Sequence, residues 1–356
     1  MKYLFSAIIS LAILSSSCSD PLNHVALDHK ETNSVYYWKT VFKPDSFELS
    51  FLRNYDVGRI YLRMFDVSVD PLGGNTLENS VIPNATVRFG NDYCYSIHDS
   101  IGDIEFVPVV YITLDALKKA KGQEGLLVKN IVTRVRNMCL YNDLPNIGEL
   151  QLDCDWTAST EDSFFALCDR AKQIIRELQL PWKLSSTVRL HQLSRKVPPV
   201  DNGVLMVYNT GCFNNPDADN SIIDVKDVEP YLKHLRRYPL HLDVAYPTYS
   251  WQLLFRKRKF IGLINGVDVT NTSQFAVCGK NRYVALRDVP YRDKIIRAGD
   301  IIRQETSKAC DIQKIKKLID ARLARRQHSN ILYHLDSKNL SKYSSDEIDN
   351  IFDSNH

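Results

Sequence analysis

Leu150-Gln151-Leu152-Asp153-Cys154-Asp155-Trp156 is the stretch on which the reading of this chain turns. Side chains alternate sides along a strand, so Gln151, Asp153 and Asp155 share one face while Leu150, Leu152 and Cys154 share the other. A strand that is apolar on one side and acidic on the other, ending just before a helix, is what an active-site strand of a (β/α)8 barrel looks like. The helix start is marked by a Ser159–Asp162 capping-box pattern. Its apolar stripe is Phe164, Leu167, Cys168, Ala171, Ile174, Ile175 and Leu178, and Pro181 stops it.

Outward from this unit, strand-like runs alternate with amphipathic segments along the chain. The strand candidates are Val35–Val41, Arg59–Val67, Glu105–Ile112, Glu149–Trp156, Trp182–Leu190, Gly203–Thr210, Leu240–Pro247 and Asn330–Leu335. Eight strands, most followed by a helical stretch, predict an α/β fold in the form of a closed (β/α)8 TIM barrel. The stripe Ile312, Ile315, Leu318, Ile319 and Leu323 marks the helix before the last strand, and Ser344–Phe352 a short closing helix. About sixty residues separate the seventh strand from its helix, far too many for a plain loop. Within them Phe260–Ile264, Phe275–Val277 and Tyr283–Leu286 read as strands, so a small β-rich insertion is expected at about residues 250–300. A second elaborated loop, rich in Gly, Asn and Pro, runs from Asp70 to Asp103 and belongs at the barrel mouth.

The 356-residue length suits one barrel with insertions, residues 33–356, once the N-terminus is set aside. Met1-Lys2, an apolar run from Tyr3 to Leu14 and then Ser15-Ser16-Ser17-Cys18 have the form of a secretory signal, too short to span a membrane. A lone Cys directly after small residues resembles the lipobox of bacterial lipoproteins. That resemblance implies a signal peptide at 1–18, lipidation of Cys18 as a membrane anchor, a tether at 19–32, and residence at the bacterial cell envelope, facing periplasm or cell surface. The other reading is ordinary signal cleavage near the serines, with Cys18 incidental. A formal charge of +3 gives no support for nucleic acid as a partner. Cys94, Cys139, Cys154, Cys168, Cys212, Cys278 and Cys310 form no CxxC or Cys/His cluster, so no metal site is expected, and no disulfide can be assigned. No phosphate-binding glycine loop or nucleophile elbow is present, and no cofactor is expected.

Three segments carry a resemblance. Asp153-Cys154-Asp155-Trp156, Met206-Val207-Tyr208-Asn209, and Asp243-Val244-Ala245-Tyr246-Pro247-Thr248-Tyr249-Ser250-Trp251 follow in the order and spacing of the fourth-, sixth- and seventh-strand motifs of family 18 glycoside hydrolases. These are the chitinases and endo-β-N-acetylglucosaminidases, whose fourth strand reads Asp-x-Asp-x-Glu. The resemblance implies an N-acetylglucosamine-containing glycan or oligosaccharide as partner. It also implies Asp155 as the carboxylate that polarises the acetamido group, Asp153 as its neighbour, and Tyr208 at the acetamide region. In that family the acetamido group is itself the nucleophile, so the strong acid is the group the protein must supply. Here Thr157 stands in the acid's place, and a hydroxyl cannot protonate a leaving oxygen. Adjacent carboxylates push one pKa upward, which would let one of them hold a proton. Two functions therefore stand open: a hydrolase whose acid comes from elsewhere, and a non-catalytic glycan-binding or structural envelope lipoprotein. A third is a barrel whose chemistry is unrelated.

Alternation supplies the remaining candidates. On the second strand Tyr61, Arg63 and Phe65 are expected inside, with Ile60, Leu62 and Met64 toward the helices. On the fifth, Ser185, Thr187 and Arg189 are expected inside, opposite Leu184 and Val188, and Asp243 also faces inward. Such a charged interior is either a ligand site or an ion-pair network that only shapes the barrel. Trp38, Tyr111, Trp156, Tyr208, Tyr246, Tyr249 and Trp251 fall at strand ends, where flat rings cover sugar faces. The expected substrate-binding set is Trp38, Arg63, Trp156, Arg189, Met206, Asn209, Tyr246, Tyr249 and Trp251. The family's Trp at the end of the last strand has no counterpart: Tyr333-His334-Leu335-Asp336 offers His334 and Asp336. Arg256-Lys257-Arg258-Lys259 reads as the solvated turn of a hairpin, or else as a contact for acidic glycans or phosphate head groups.

Overall fold

The computed structural model describes residues 30–90, 101–144, 146–323 and 327–353. The barrel strands are β1 (Asn33–Tyr37), β2 (Val57–Val69), β3 (Glu105–Ile112), β4 (Glu149–Asp153), β5 (Lys183–Arg189), β6 (Asn202–Met206), β7 (Leu242–Pro247) and β8 (Asn330–Tyr333). Each pairs in parallel with the next, and β1 pairs with both β2 and β8, which closes an eight-stranded parallel barrel. The main helices are α1 (Ser46–Asn54), α2 (Glu124–Tyr141), α3 (Glu161–Glu177), α4 (Ala309–Asp320) and α5 (Ser345–Phe352). The fold is the (β/α)8 barrel expected from the alternation. Among the described residues no helix is long and apolar enough to cross a membrane. The signal and anchor readings fall on residues 1–29, outside the described residues.

Two apolar layers follow from the strand period. One face of each strand packs against the helices, for example Ile60, Leu62, Leu150, Leu152, Leu184 and Val188. The other face fills the barrel with Tyr36, Tyr61, Val107, Val109, Val204, Met206, Tyr208, Ala245 and Ile331. Strand β2 departs from simple alternation. Its register against β3 runs from Arg63↔Val109 directly to Phe65↔Val110, so Met64 is an extra residue. The bulge turns Phe65 out of the barrel, where Arg134 of α2 lies 5.1 Å over its ring. The inward placement expected for Phe65 is thereby corrected.

The start of α3 also differs from expectation. Its N-cap is Thr160, which makes no side-chain cap bond. Ser159 Oγ instead sits 3.0 Å from Thr157 Oγ1, and the Thr157 amide donates to Thr160 Oγ1 at 2.9 Å. The hydroxyls that would have capped the helix are spent on the turn before it, and Glu161 and Asp162 complement the helix dipole from the first turn. The stripe from Phe164 to Ile175 is buried as expected, whereas Leu178 is the C-cap and 42% exposed.

The insertion lies between β7 and α4. Strand Ser250–Arg256 pairs with Lys259–Ile264 and with Ile301–Thr306, and Arg282–Ala285 and Phe275–Gly279 complete a five-stranded antiparallel sheet. Leu254, Ile264, Phe275 and Ile302 give it a small core of its own. The basic run forms the first hairpin's turn, with Lys257 and Arg258 at φ 46° and 63°, the mirror-turn region that suits twisted strands. Arg258 pairs with Asp217 at 2.5 Å and Arg256 with Asp300 at 2.7 Å, so the run is partly neutralised within the protein.

A buried ion pair fastens this sheet to the loop after β6. Arg303 and Glu305 have fully buried side chains, and Arg303 Nε lies 2.7 Å from Glu305 Oε1. Arg303 also donates to the carbonyls of Asn215 (2.6 Å) and Phe213 (3.0 Å), and Glu305 accepts from Ser221 Oγ at 2.6 Å.

Candidate functional site

The barrel interior is polar in three layers. At the base, Arg59 Nε donates to Glu105 at 2.8 Å, with Asp243 3.9 Å from the same guanidinium. In the middle, the Tyr36 hydroxyl donates to Gln151 Oε1 at 2.6 Å, Gln151 Nε2 donates to Ser185 Oγ at 3.3 Å, and Ser185 donates to Glu149. At the mouth, Thr187 Oγ1 donates to Asp153 Oδ1 at 2.6 Å and Arg189 Nη2 reaches the same oxygen at 3.1 Å. The Nε of Arg189 donates to Asp155. One guanidinium thus joins both motif carboxylates, and it lies 5.8 Å over the ring of Tyr208.

These contacts set the protonation chemistry. Burial raises the Asp153 carboxyl above the ordinary value, against the pull of Arg189, and Asp155 adds to the rise. Burial opposes the charge of Arg189, yet Asp153, Tyr208 and Asp155 outweigh it and hold its proton more tightly than usual. Burial also pushes the Tyr111 phenol up to about 12, with Asp155 and Asp153 contributing. Asp155 is the open member: its side chain is 44% exposed, against 3% for Asp153. The group with a raised affinity for protons is shut away, and the accessible one is held by an arginine. Thr157, engaged with Ser159, carries no acid group.

A hollow lies beside this cluster rather than over it. A cleft of about 800 Å³ opens between the ends of β6, β7 and β8 and the insertion. Its aromatic lining is Tyr208, Tyr249, Trp251, Tyr333 and Tyr283, and Asn209, Gln252, Asn265 and Gln304 add amides. Neither Asp153 nor Asp155 lines it. Tyr208 stacks on Tyr333 with centroids 4.4 Å apart, Tyr249 stands edge-on to both at 6.3 and 5.9 Å, and Trp251 is 5.5 Å from Tyr249. The Tyr249 hydroxyl donates to Asn209 Oδ1 and the Trp251 indole to Glu305 Oε2, both at 2.6 Å, so both rings are fixed by their polar ends. Asn209 holds φ 53°, a left-handed conformation that asparagine tolerates.

The structure sorts the expected site residues. Asp153, Asp155, Arg189 and Tyr208 meet at the mouth, and Asn209, Tyr249 and Trp251 line the adjoining cleft. Trp38 packs 5.6 Å from Tyr333 under the guanidinium of Arg63 (5.3 Å), which also pairs with Asp66. Three candidates are corrected. Trp156 is fully buried between Phe164 and Phe165 of α3, because the residue after Asp155 points to the helix side. Tyr246 is fully buried in the same outer layer. Met206 is buried inside the barrel with Tyr208 and only fills it. Tyr333, missing from the expected set, sits at the centre of the aromatic group. Alternation from inward-facing Ile331 would have found it. Among the described residues no His/Cys/Asp/Glu group could hold a metal, and the six described cysteines are free.

No family model and no curated protein matches the sequence. Several solved structures are similar in shape at low identity. The spore cortex-lytic enzyme SleL of Bacillus cereus is 12% identical, with 85% of this chain and 71% of that one covered and a TM-score of 0.48. A family 18 chitinase from Pseudoalteromonas aurantia is 11% identical, with 90% and 99% covered and a TM-score of 0.48. A family 18 N-acetylglucosaminidase from Paenibacillus barengoltzii is 10% identical, with 92% and 100% covered and a TM-score of 0.46. What fold and site define together is a (β/α)8 barrel with an aromatic, amide-lined cleft at its C-terminal mouth.

Proposed function

We propose that this barrel binds an N-acetylglucosamine-containing glycan in the cleft between its mouth and the insertion, without hydrolysing it. The observation that carries the reading is the aromatic floor of Tyr208, Tyr249, Trp251 and Tyr333, flanked by amides that can meet hydroxyl and acetamido groups. The motif positions that resemble family 18 hydrolases support it by falling together at the C-terminal ends of β4, β6 and β7. Thr157 and the hold of Arg189 on both carboxylates support the absence of hydrolysis. Titration calorimetry with tri-N-acetylchitotriose is expected to show binding, and Trp251→Ala to weaken it about tenfold, the worth of one well-placed aromatic contact. No binding by the unaltered protein at millimolar sugar would end the proposal. A second reading, hydrolysis, is favoured by the exposure of Asp155. Release of new reducing ends that vanishes in Asp155→Asn would establish it instead.

We further propose that the protein is exported and held at the bacterial cell envelope by a lipid on Cys18, on the strength of the segment Met1–Cys18. Cys18→Ala is expected to move the protein from the membrane fraction to the soluble one. A distribution unchanged by the substitution would refute the anchor.

A further inference from the structure

One wall of the cleft is cationic. It is built from the segment after β8, where Asp336, Lys338, Asn339 and Lys342 all line the hollow. Asp336 is already engaged: it accepts from the Asn339 amide at 3.1 Å and lies 3.7 Å from Lys39. Lys342 Nζ donates to two neutral acceptors, Ser250 Oγ at 2.8 Å and Asn339 Oδ1 at 3.2 Å. Among the described residues neither Lys338 nor Lys342 forms an ion pair with a carboxylate. The two lysines stand four positions apart. Burial and then the charge of Lys338 push the Lys342 ammonium below its ordinary value, while Asp336 offsets this only in part.

Besides the tyrosines, the other titratable groups lining the hollow are Asp268 and His334. Asp268 belongs to a different segment of the lining, is exposed, and accepts from the Thr270 amide (3.0 Å) and hydroxyl (2.6 Å) of its own turn. Burial pushes the His334 imidazole down, so it is neutral at neutral pH. The aromatic floor runs directly up to the lysines, since Ser250, which accepts from Lys342, lies between Tyr249 and Trp251 in the chain.

We propose that the glycan taken by this cleft is anionic: a sugar ring on the Tyr249–Trp251 floor carries a carboxylate that Lys338 and Lys342 neutralise. This rests on the glycan-binding reading and narrows it to acidic oligosaccharides. An ammonium held beside a like charge and neutral acceptors gains more from an incoming carboxylate than a paired one would.

The test compares two probes of equal length, tetra-N-acetylchitotetraose and a tetrasaccharide of alternating N-acetylglucosamine and glucuronate. Both are titrated calorimetrically at low salt and at about 0.3 M salt, where screening extends only a few ångströms. In the unaltered protein the acidic probe is expected to bind about tenfold tighter at low salt, the advantage shrinking to about twofold at high salt, as two partly exposed ion pairs allow. In the double variant Lys338→Gln/Lys342→Gln the ratio of the two affinities is expected to fall to about one, whatever the absolute values. Equal affinities for the two probes in the unaltered protein, or a ratio that survives the double substitution, overturn the anionic assignment while leaving glycan binding intact. If neither probe binds, the glycan reading itself fails and the assignment with it.

Discussion

Replacing Arg189 with methionine is expected to destabilise the protein by about 3–5 kcal/mol, the usual cost of stripping one partner from a buried ion pair. Methionine keeps much of the bulk, so the loss measures charge rather than a cavity. Asp153 is buried and would keep only the hydrogen bond from Thr187. Burial already raises its carboxyl above the ordinary 3.8, and without the guanidinium it rises further. A group whose folded-state pKa is raised favours the fold while protonated and loses that contribution as the pH climbs through the raised value. The deficit of the variant should therefore widen from about pH 4 toward neutrality, read as the urea midpoint across that range. Adding Asp153→Asn should recover more than half of the loss, since the amide oxygen can still accept from Thr187. A loss below about 1 kcal/mol at pH 7 would show that Arg189 does not hold Asp153 ionised.

Arg303→Met is expected to have an effect of similar size, about 3–5 kcal/mol, because it too strips one partner from a buried ion pair. Glu305 would be left fully buried beside Ser221 and the Trp251 indole, and the carbonyls of Asn215 and Phe213 would lose their donors. The damage should be concentrated where the loop after β6 meets the insertion. Amide exchange in residues 211–224 should speed up before that in β3 to β5, and chitotriose affinity should fall because Glu305, which fixes Trp251, loses the arginine that holds it in place. Replacing the pair together, Arg303→Met with Glu305→Leu, should restore most of the stability, since no buried charge remains, but not the affinity. Uniform exchange throughout the chain would show that the pair does not latch this region.

The barrel was legible because its signal is repeated: each strand shows the same apolar outer face, and the capless, bulged or shifted units are outvoted by the regular ones. What failed was local. Phe65 was misplaced because a bulge is a register event between two strands, and no single strand's pattern announces it. Proximity to strand ends suggests Trp156 and Tyr246, although the alternation that puts Asp155 inside also sends Trp156 outside. The pairing of Asp153 and Asp155 through Arg189 was beyond the sequence, since it depends on how far β5 extends beside β4, although the alternation did place Arg189 inside. Position and offset of the insertion could be read from its length and strand-like runs. The Arg303–Glu305 latch could not, because adjacent-strand alternation gave no reason to expect an arginine with no exposed surface.

The insertion begins and ends at one place: Ser250, where it leaves β7, is paired with Thr306, where it returns toward α4. From the barrel's side the whole excursion is a connection of almost zero span, with its closure entropy met by its own hydrogen-bonded sheet. The barrel does not need to know how long that excursion is. Segments with neighbouring ends are where lengths drift and modules are exchanged between otherwise unrelated chains. Half of the cleft wall, including Gln252, Leu263, Asn265 and Gln304, is therefore carried by the part of the molecule freest to change. Ligand choice can be rewritten from that side without disturbing the scaffold that presents Tyr208 and Tyr333.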